Sequence, residues 1–260
     1  MTWVAWRLYR TELFIAVGIL AALSAYLVPT GMDKRDLFQT MGLDACINAS
    51  SESCLTLRER FVMSYDSVLN SVAWFNFVPG IIGLVLAAPM VLELERRTHR
   101  LAWTQSITRE RWLFTTMGTA LLGAILFSIL LTLLLTWWHS PLDRVDLDTG
   151  RLRKSFGFEG VLPLAYTLFA LAAAAVAGAL SRRLVVAMPL AFVGFVFTRV
   201  TIEPMIRPGR LSGPAGSADA TIGATDISRF WTYQAIEASI FLTLTVVLLS
   251  LTVWAVRQRP

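Results

Sequence analysis

The polar segment at residues 93–112 holds the densest group of side chains that could make specific contacts. It contains five arginines, three acids and Trp103 within 20 residues. Glu93 and Arg97 are four residues apart, a spacing that would place them along one face of a helix. Such a helix suits binding to a soluble protein, because Trp and Arg are enriched in binding hot spots. The arginines would equally serve as charges that anchor a membrane protein, and the residues alone leave both interpretations open.

Several motifs of enzymes and metal proteins are absent from the sequence. It has no Gly-x4-Gly-Lys-Ser/Thr phosphate loop, and neither Lys34 nor Lys154 lies in a glycine-rich stretch. No Gly-x-Ser-x-Gly elbow and no His-Glu-x-x-His run occur either. With two cysteines and two histidines, the chain offers no metal-ligand cluster. We therefore expect no catalytic residue, no metal and no cofactor on this chain, and no ATP hydrolysis by it alone.

The composition points to a membrane protein. Apolar residues make up 55% of the chain and charged residues 16%, and the mean hydropathy is +0.60. Soluble domains carry about a quarter charged residues. A net charge of +5 could indicate nucleic-acid binding. The arginines, however, form short clusters between apolar runs, so we expect contact with membrane lipid and none with nucleic acid.

Six apolar segments are long enough to cross a bilayer as helices, which predicts an all-α integral membrane protein with one domain over residues 1–260. No acidic residue lies at the centre of a segment, so we expect an interior without the charged groups that ion-driven carriers use. Any energy for transport would then come from another chain. The predicted spans are 12–29, 71–92, 113–138, 161–180, 184–200 and 238–256.

The connecting pieces predict that both chain ends lie in the cytoplasm. Basic residues are densest in four pieces, which the positive-inside rule assigns to the inner side. Residues 1–11 mix Trp and Tyr with Arg, which favours a short helix on the inner membrane surface; the alternative is simply the start of the first span. The inner pieces are 1–11, 93–112, 181–183 and 257–260, and the outer loops are 30–70, 139–160 and 201–237.

The predicted orientation places Cys46 and Cys54 in the same outer loop. Disulfide bonds persist on the outer side of a bacterial membrane. We therefore expect a Cys46–Cys54 bond, with two free thiols as the alternative.

Small residues and prolines within the spans would shape helix packing. Gly118, Gly123 and the alanine-rich run 170–178 would let backbones approach closely, either within one chain or between subunits. In the second span, Pro79-Gly80 and Pro89 would bend the helix or loosen its hydrogen bonding.

Three stretches resemble the ABC-2 type transporter permeases of actinobacteria and their relatives. The first is residues 88–113, APMVLELERRTHRLAWTQSITRERWL, which resembles the inner loop of those permeases. The second is Trp137–Val145, and the third runs from Gly160–Tyr166 to Arg182-Arg183. The paired cysteines are also similar to that group, and the stretches occur in the right order along much of the chain.

The resemblance implies a bacterial, multi-pass cell-membrane protein of the exporter type, with a type V-like fold of six spans after an inner surface helix. Two copies would pair, and each would seat one separate P-loop ATPase that carries ATP and Mg. Residues 93–106 would include the coupling helix that contacts this ATPase. The expected coupling residues are Glu93, Glu95, Arg96, Thr98, His99, Arg100, Trp103 and Gln105.

The resemblance also implies a central cavity between the two copies, lined mainly by the second and fifth spans. We expect Asn76, Phe77 and Phe195 to contact cargo there, with ordinary helix packing as the alternative role. An uncharged lining suits hydrophobic or amphipathic cargo such as drugs, lipids or peptides.

Two other functional classes remain open at this point. The chain could be a membrane anchor or sensor without a transport path, which would bind a ligand with its outer loops and signal through residues 93–112. An intramembrane enzyme ranks third, because no catalytic constellation is visible in the sequence.

Overall fold

The computed structural model describes residues 2–46, 51–65, 73–96, 109–145, 156–157, 160–206 and 230–258. Within these ranges the regular structure is helical. Two short 3-10 turns, Leu43–Cys46 and Ala73–Phe77, precede the second and third helices. The α-helices are α1 Thr2–Thr40, α2 Glu52–Ser64, α3 Val78–Arg96, α4 Arg109–Val145, α5 Leu162–Ser181, α6 Leu184–Ile206 and α7 Phe230–Gln258.

Six of these helices are long and apolar enough to cross a membrane, and each contains or overlaps one predicted span. The protein is therefore an all-α, multi-pass membrane protein. The helices run beyond the predicted ends because charged and proline residues at those ends do not interrupt them. The apolar helical stretches are Tyr9–Thr40, Trp74–Arg96, Arg111–Leu142, Leu162–Ser181, Leu184–Ile206 and Trp231–Gln258.

The start of the chain differs from the prediction. Residues 1–11 do not form a separate surface helix, because α1 continues without interruption from Thr2 to Thr40. No proline occurs before Pro29, and Pro29 itself lies inside the helix. The next residue, Thr30, donates its hydroxyl to the Tyr26 carbonyl at 2.9 Å, as Ser and Thr side chains often do near a proline in a membrane helix. Residues 30–40, the start of the predicted outer loop 30–70, are thus also helical.

Helix α5 lies at the centre of the bundle and packs against α3, α4, α6 and α7. Its closest neighbour is α3. A Cβ atom added at Gly83 would overlap the Thr167 carbonyl oxygen and lie 2.8 Å from the Leu171 backbone nitrogen. Gly178, in the alanine-rich run, meets the side chain of Val91 in the same way. In this chain the small residues of α5 therefore pack against another helix of the same chain.

The two ends of the helix bundle can be told apart by the residues they carry. At one end, a buried apolar cluster joins parts of α3, α4, α5 and α7 close to three predicted inner pieces, and the polypeptide turns between α5 and α6 beside it. This arrangement agrees with the alternation of inner and outer pieces along the chain. We call this end, which carries Arg96, Arg111, Arg182 and Arg257, the inner end, and the opposite end the outer end.

The outer end carries a small cap formed by the last turns of α1, the first 3-10 turn and α2. Cys46 and Cys54 are joined by a disulfide bond, with their Cα atoms 5.3 Å apart. Arg58 of α2 donates to the Cys46 carbonyl at 2.6 Å. Phe61 is fully buried and meets the rings of Phe38 and Tyr65 edge to face. The first part of the predicted loop is therefore a folded unit.

Cation–π contacts join this cap to α4. The Lys34 side chain is fully buried, and its Nζ atom lies 3.0 Å from the centre of the Trp138 ring and 5.1 Å from that of Tyr65. Burial raises the pKa of the Tyr65 phenol, and the nearby Asp33 carboxylate raises it further. Arg35 stacks on Trp137 and donates to its carbonyl at 3.0 Å. Aromatic faces attract cations most strongly where water is excluded.

A substitution at Gly83 tests the close approach of α3 and α5. Gly83→Ala would force the two backbones apart, and we expect the free energy of unfolding to fall by about 1–3 kcal/mol, as for other overpacked sites. The measurement is thermal unfolding of the detergent-purified protein by tryptophan fluorescence. Gly118→Ala is the matched control, because a Cβ atom there meets no described atom within 4 Å. Equal melting temperatures for both variants would contradict the packing described.

The disulfide gives a test of the predicted orientation. After treatment of intact cells with a membrane-impermeant reductant, we expect a charged maleimide to label Cys46 and Cys54 from outside. The control is Gln258→Cys in a Cys46→Ser, Cys54→Ser background, which should react only after the membrane is opened. Labelling of the native cysteines only in opened cells would reverse the orientation.

Candidate functional site

Helices α3 and α4 are bonded to each other at the base of the predicted coupling segment. The indole nitrogen of Trp112, near the start of α4, donates to a carboxylate oxygen of Glu93 at 2.8 Å. Trp112 is buried, and it belongs to the apolar cluster at the inner end together with Leu94 and Met90. The described ends of the two helices on either side of residues 97–108 are therefore held together.

The predicted coupling residues divide into two groups. Glu93, Glu95 and Arg96 lie in the last turn of α3, where Arg96 is exposed. The remaining ones lie outside the described residues, and their role stays a prediction: Thr98, His99, Arg100, Trp103 and Gln105.

Glu95 contacts the start of α6. One of its carboxylate oxygens accepts the backbone N–H of Leu184, the first residue of α6, at 2.8 Å. The turn before α6 is tight: Arg182 has a left-handed backbone conformation and donates to the Gly178 carbonyl. The residue before α6 is Arg183, which is not among the residues that cap a helix N-terminus well. Glu95 supplies the missing acceptor from another helix, and its negative charge also suits the positive end of the helix dipole.

At the outer end, Arg199 of α6 contacts Asn76 in the 3-10 turn before α3. Its guanidinium donates to the Asn76 carbonyl at 2.5 Å and to the Asn76 side-chain oxygen at 2.7 Å. Arg199 also lies 3.8 Å from Glu203, one turn further along α6. The backbone at Gly157 closes over this pair, since a Cβ atom there would lie 2.6 Å from both the guanidinium and the Asn76 oxygen.

Tyr166 extends this polar group across α5 to α7. The Arg199 guanidinium lies 4.5 Å above the Tyr166 ring, and the Tyr166 hydroxyl donates to the Glu237 carboxylate. Tyr166 and Glu237 are both fully buried. Four helices are thus linked at the outer end by one connected set of polar contacts.

Gln234 adds a further contact beside this group. Its side chain accepts the N–H of Val161 at 3.4 Å and donates to the carbonyl of Phe156 at 3.3 Å. It thereby holds the start of α5 and the short stretch at residues 156–157 against α7.

The prediction of an interior without charge is wrong. Arg199 lies within the predicted fifth span itself, and Glu237 lies one residue before the predicted sixth span, yet both are buried between helices. Their burial is tolerated because each has hydrogen-bonding partners inside the protein. The sequence signal was available in the position of Arg199 inside an apolar run, four residues before Glu203.

The three residues predicted to contact cargo lie close together at the outer end. Phe195 is fully buried and packs against Tyr166 and Phe169, and its ring fills the space beside Gly80. Phe77 packs against the same cluster. Asn76 is held by Arg199. In this conformation Phe195 has a packing role, and contact of the three residues with cargo stays a prediction.

Comparison with known proteins gives one family. A family model described as ABC-2 membrane transporter related matches residues 17–207, which include the Glu93, Glu95 and Arg199 contacts. No curated protein and no solved structure matches the chain.

Tyr166→Phe tests the polar group at the outer end. The change removes the hydroxyl that donates to buried Glu237, and we expect the free energy of unfolding to fall by about 1–3 kcal/mol, the usual cost of a buried polar atom that loses its partner. Tyr26→Phe is the control, since the Tyr26 side chain is exposed and the change keeps the ring that meets Phe75. The measurement is the melting temperature in detergent, and an unchanged value for Tyr166→Phe would show that the hydroxyl contributes little.

Proposed function

Because the chain belongs to the ABC-2 membrane transporter related family, we propose that it is the membrane subunit of an ATP-driven exporter that works with a separate P-loop ATPase. The ATP and Mg sites would lie on that partner. The lack of a phosphate-binding loop in the sequence fits this division of labour.

The observation that carries the coupling proposal is the base of the segment at residues 93–112. Glu93 ties α3 to α4, and Glu95 ties α3 to α6, within the same turn at the inner end. A protein that binds residues 97–108 and displaces them would therefore pull on three spans rather than on one loose loop. A segment that transmits force from an ATPase needs such a connection to several spans.

The exposed faces of the spans support pairing with a second copy. α1 and α6 are the least buried of the six candidate spans, and α6 exposes Val193, Phe197 and Val200. Symmetric pairs are the commonest oligomers, and two copies could enclose a cavity between them. The pathway would then lie between the copies and receive side chains from these apolar faces.

The charge distribution supports a hydrophobic or amphipathic cargo. Arg199 and Glu237 make their contacts inside one chain, so they leave the exposed faces of the spans apolar. A drug, a lipid or an apolar peptide would suit such a surface better than an ion would.

Photo-cross-linking from the coupling segment tests the proposed partner. We expect a photoreactive amino acid in place of Trp103 to form a cross-link to a P-loop ATPase in cells of the native host, identified by mass spectrometry. The control is the same substitution at Trp74, which is exposed at the outer end and should capture no ATPase. Capture from both positions, or from neither, would contradict coupling through residues 93–112.

The captured ATPase also separates an exporter from a non-transporting anchor or sensor. Replacing the lysine of its phosphate loop should abolish export of a fluorescent apolar dye from cells that carry both proteins. If the protein were an anchor or sensor, dye export would not depend on either chain.

A further inference from the structure

Helices α3 and α6 are antiparallel neighbours that are bonded to each other at both ends. At the inner end, Glu95 accepts the N–H of Leu184 at 2.8 Å. At the outer end, Arg199 donates twice to Asn76, at 2.5 and 2.7 Å. Leu184 and Arg199 are 15 residues apart on α6, or roughly 22 Å along a helix at about 1.5 Å per residue. The two contacts thus lie at opposite ends of the same pair of helices.

Packing between the two helices fills the distance between these contacts. The Phe195 ring lies against Gly80, where a Cβ atom would be only 2.5 Å from the ring. Nearer the inner end, Val91 of α3 and Ala187 of α6 share a buried cluster. The pair therefore has little room to slide, and the end contacts fix its register.

The outer contact, between Arg199 and Asn76, has a defined direction and is held in place by neighbouring residues. Asn76 lies in the 3-10 turn that precedes α3, so the guanidinium binds a backbone carbonyl just outside the regular helix. Contacts with the Tyr166 ring, the Glu203 carboxylate and the backbone at Gly157 restrict the guanidinium to this position. Arg presents a planar fork of donors, which suits two acceptors on one residue.

The inner contact uses a residue that the resemblance assigned to the ATPase interface. Glu95 is exposed, yet one of its oxygens is occupied by the start of α6. The backbone N–H groups at a helix N-terminus have no acceptors within the helix, and Glu95 supplies one acceptor to α6. It places the end of the coupling segment in direct contact with the fifth span.

We propose that Glu95 and Arg199 are positioning residues that make α3 and α6 a single moving unit in the transport cycle. A displacement of the coupling segment is then delivered to both helices at the inner end and arrives at Asn76 at the outer end without a change in their mutual register. This inference rests on the proposed exporter function and adds to it which two spans move together and which side chains join them.

The test measures distances between the outer ends of the helices in the complex with the captured ATPase, reconstituted in lipid nanodiscs. Trp74 is exposed in the 3-10 turn before α3, Met205 is exposed at the outer end of α6, and Met32 is exposed on α1. Each is replaced by cysteine and spin-labelled in pairs with a maleimide reagent, which does not attack the native disulfide. Distances are recorded by double electron–electron resonance without nucleotide and with ATP and vanadate.

We expect the distance between residues 74 and 205 to stay constant within about 1 Å on trapping, whereas the distance between residues 32 and 205 shifts by about 2 Å or more, the scale of helix movements in such transitions. Glu95→Ala should make the distance between residues 74 and 205 depend on nucleotide. Glu95→Gln should keep it nearly constant, because the amide oxygen still accepts the Leu184 N–H. A salt bridge from Glu95 to the ATPase would be lost equally in both variants.

Two results would overturn the inference while leaving the exporter function intact. They are a nucleotide-dependent distance between residues 74 and 205 in the native sequence, and a Glu95→Ala variant that behaves as the native sequence does, each with the shift between residues 32 and 205 preserved. If neither distance responds to nucleotide in the native sequence, the ATP-driven function itself fails, and the moving unit fails with it. Arg199→Lys provides a second variant, which retains the buried positive charge but loses the two hydrogen bonds to Asn76. It should also make the distance between residues 74 and 205 depend on nucleotide.

Discussion

The contact between the backbones of α3 and α5 at Gly83 determines how the rest of the bundle can be arranged. Lipid tails are as apolar as leucine side chains, so burial of apolar surface gives little drive for helices to associate within a bilayer. Close packing and hydrogen bonds must supply that drive instead. With glycine at position 83, α3 approaches α5 until it touches the Thr167 carbonyl and the Leu171 nitrogen. Since α4, α6 and α7 also pack on α5, this approach sets the position of α3 relative to all of them.

Polar contacts then fix the register that close packing leaves open. They lie near the ends of the spans, where the cost of a charged side chain is smaller than at the bilayer centre. Arg199, Tyr166 and Glu237 connect three helices at the outer end, and Glu95 and Glu93 connect three at the inner end. Each of these bonds has a defined direction, so sliding one helix by a turn would break it. Between the ends, the helices are held by close contacts at Gly83 and Gly178 and by the buried hydrogen bond from the Ser128 hydroxyl of α4 to Thr167 of α5.

The sequence predicted the spans well and their contacts poorly, for physical reasons that differ. Each span is recorded locally, as a run of apolar residues about as long as the bilayer is thick. The predicted ends of the spans were misplaced because helical backbone hydrogen bonding continues through polar residues such as Lys34 and Arg35. The side chains of these two residues pack on the aromatic rings of Trp138 and Trp137. Asn76, which Arg199 binds, and Leu184, which Glu95 binds, are 123 and 89 residues away in the chain, and no spacing rule connects these pairs. Cys46 and Cys54 could be paired from the sequence because they are eight residues apart in one predicted outer loop.

The last turn of α3 shows how a short polar sequence can connect one helix to two others. Successive residues on a helix point in different directions, so Glu93 reaches Trp112 on α4 while Glu95, two residues later, reaches the start of α6. One turn therefore holds two neighbours at once. An individual hydrogen bond contributes only about 1 kcal/mol, or about 1.5–3 kcal/mol when one partner is charged, so neither bond alone makes the bundle rigid. Together with the Arg199 contact at the far end, however, the Glu95 bond restricts the movements of α3 that break neither contact to those in which α6 moves with it, whereas Glu93 joins α4 at the inner end only. These contacts thus limit the direction in which α3 can move. Each contributes only a few kcal/mol, so they do not prevent a change of conformation.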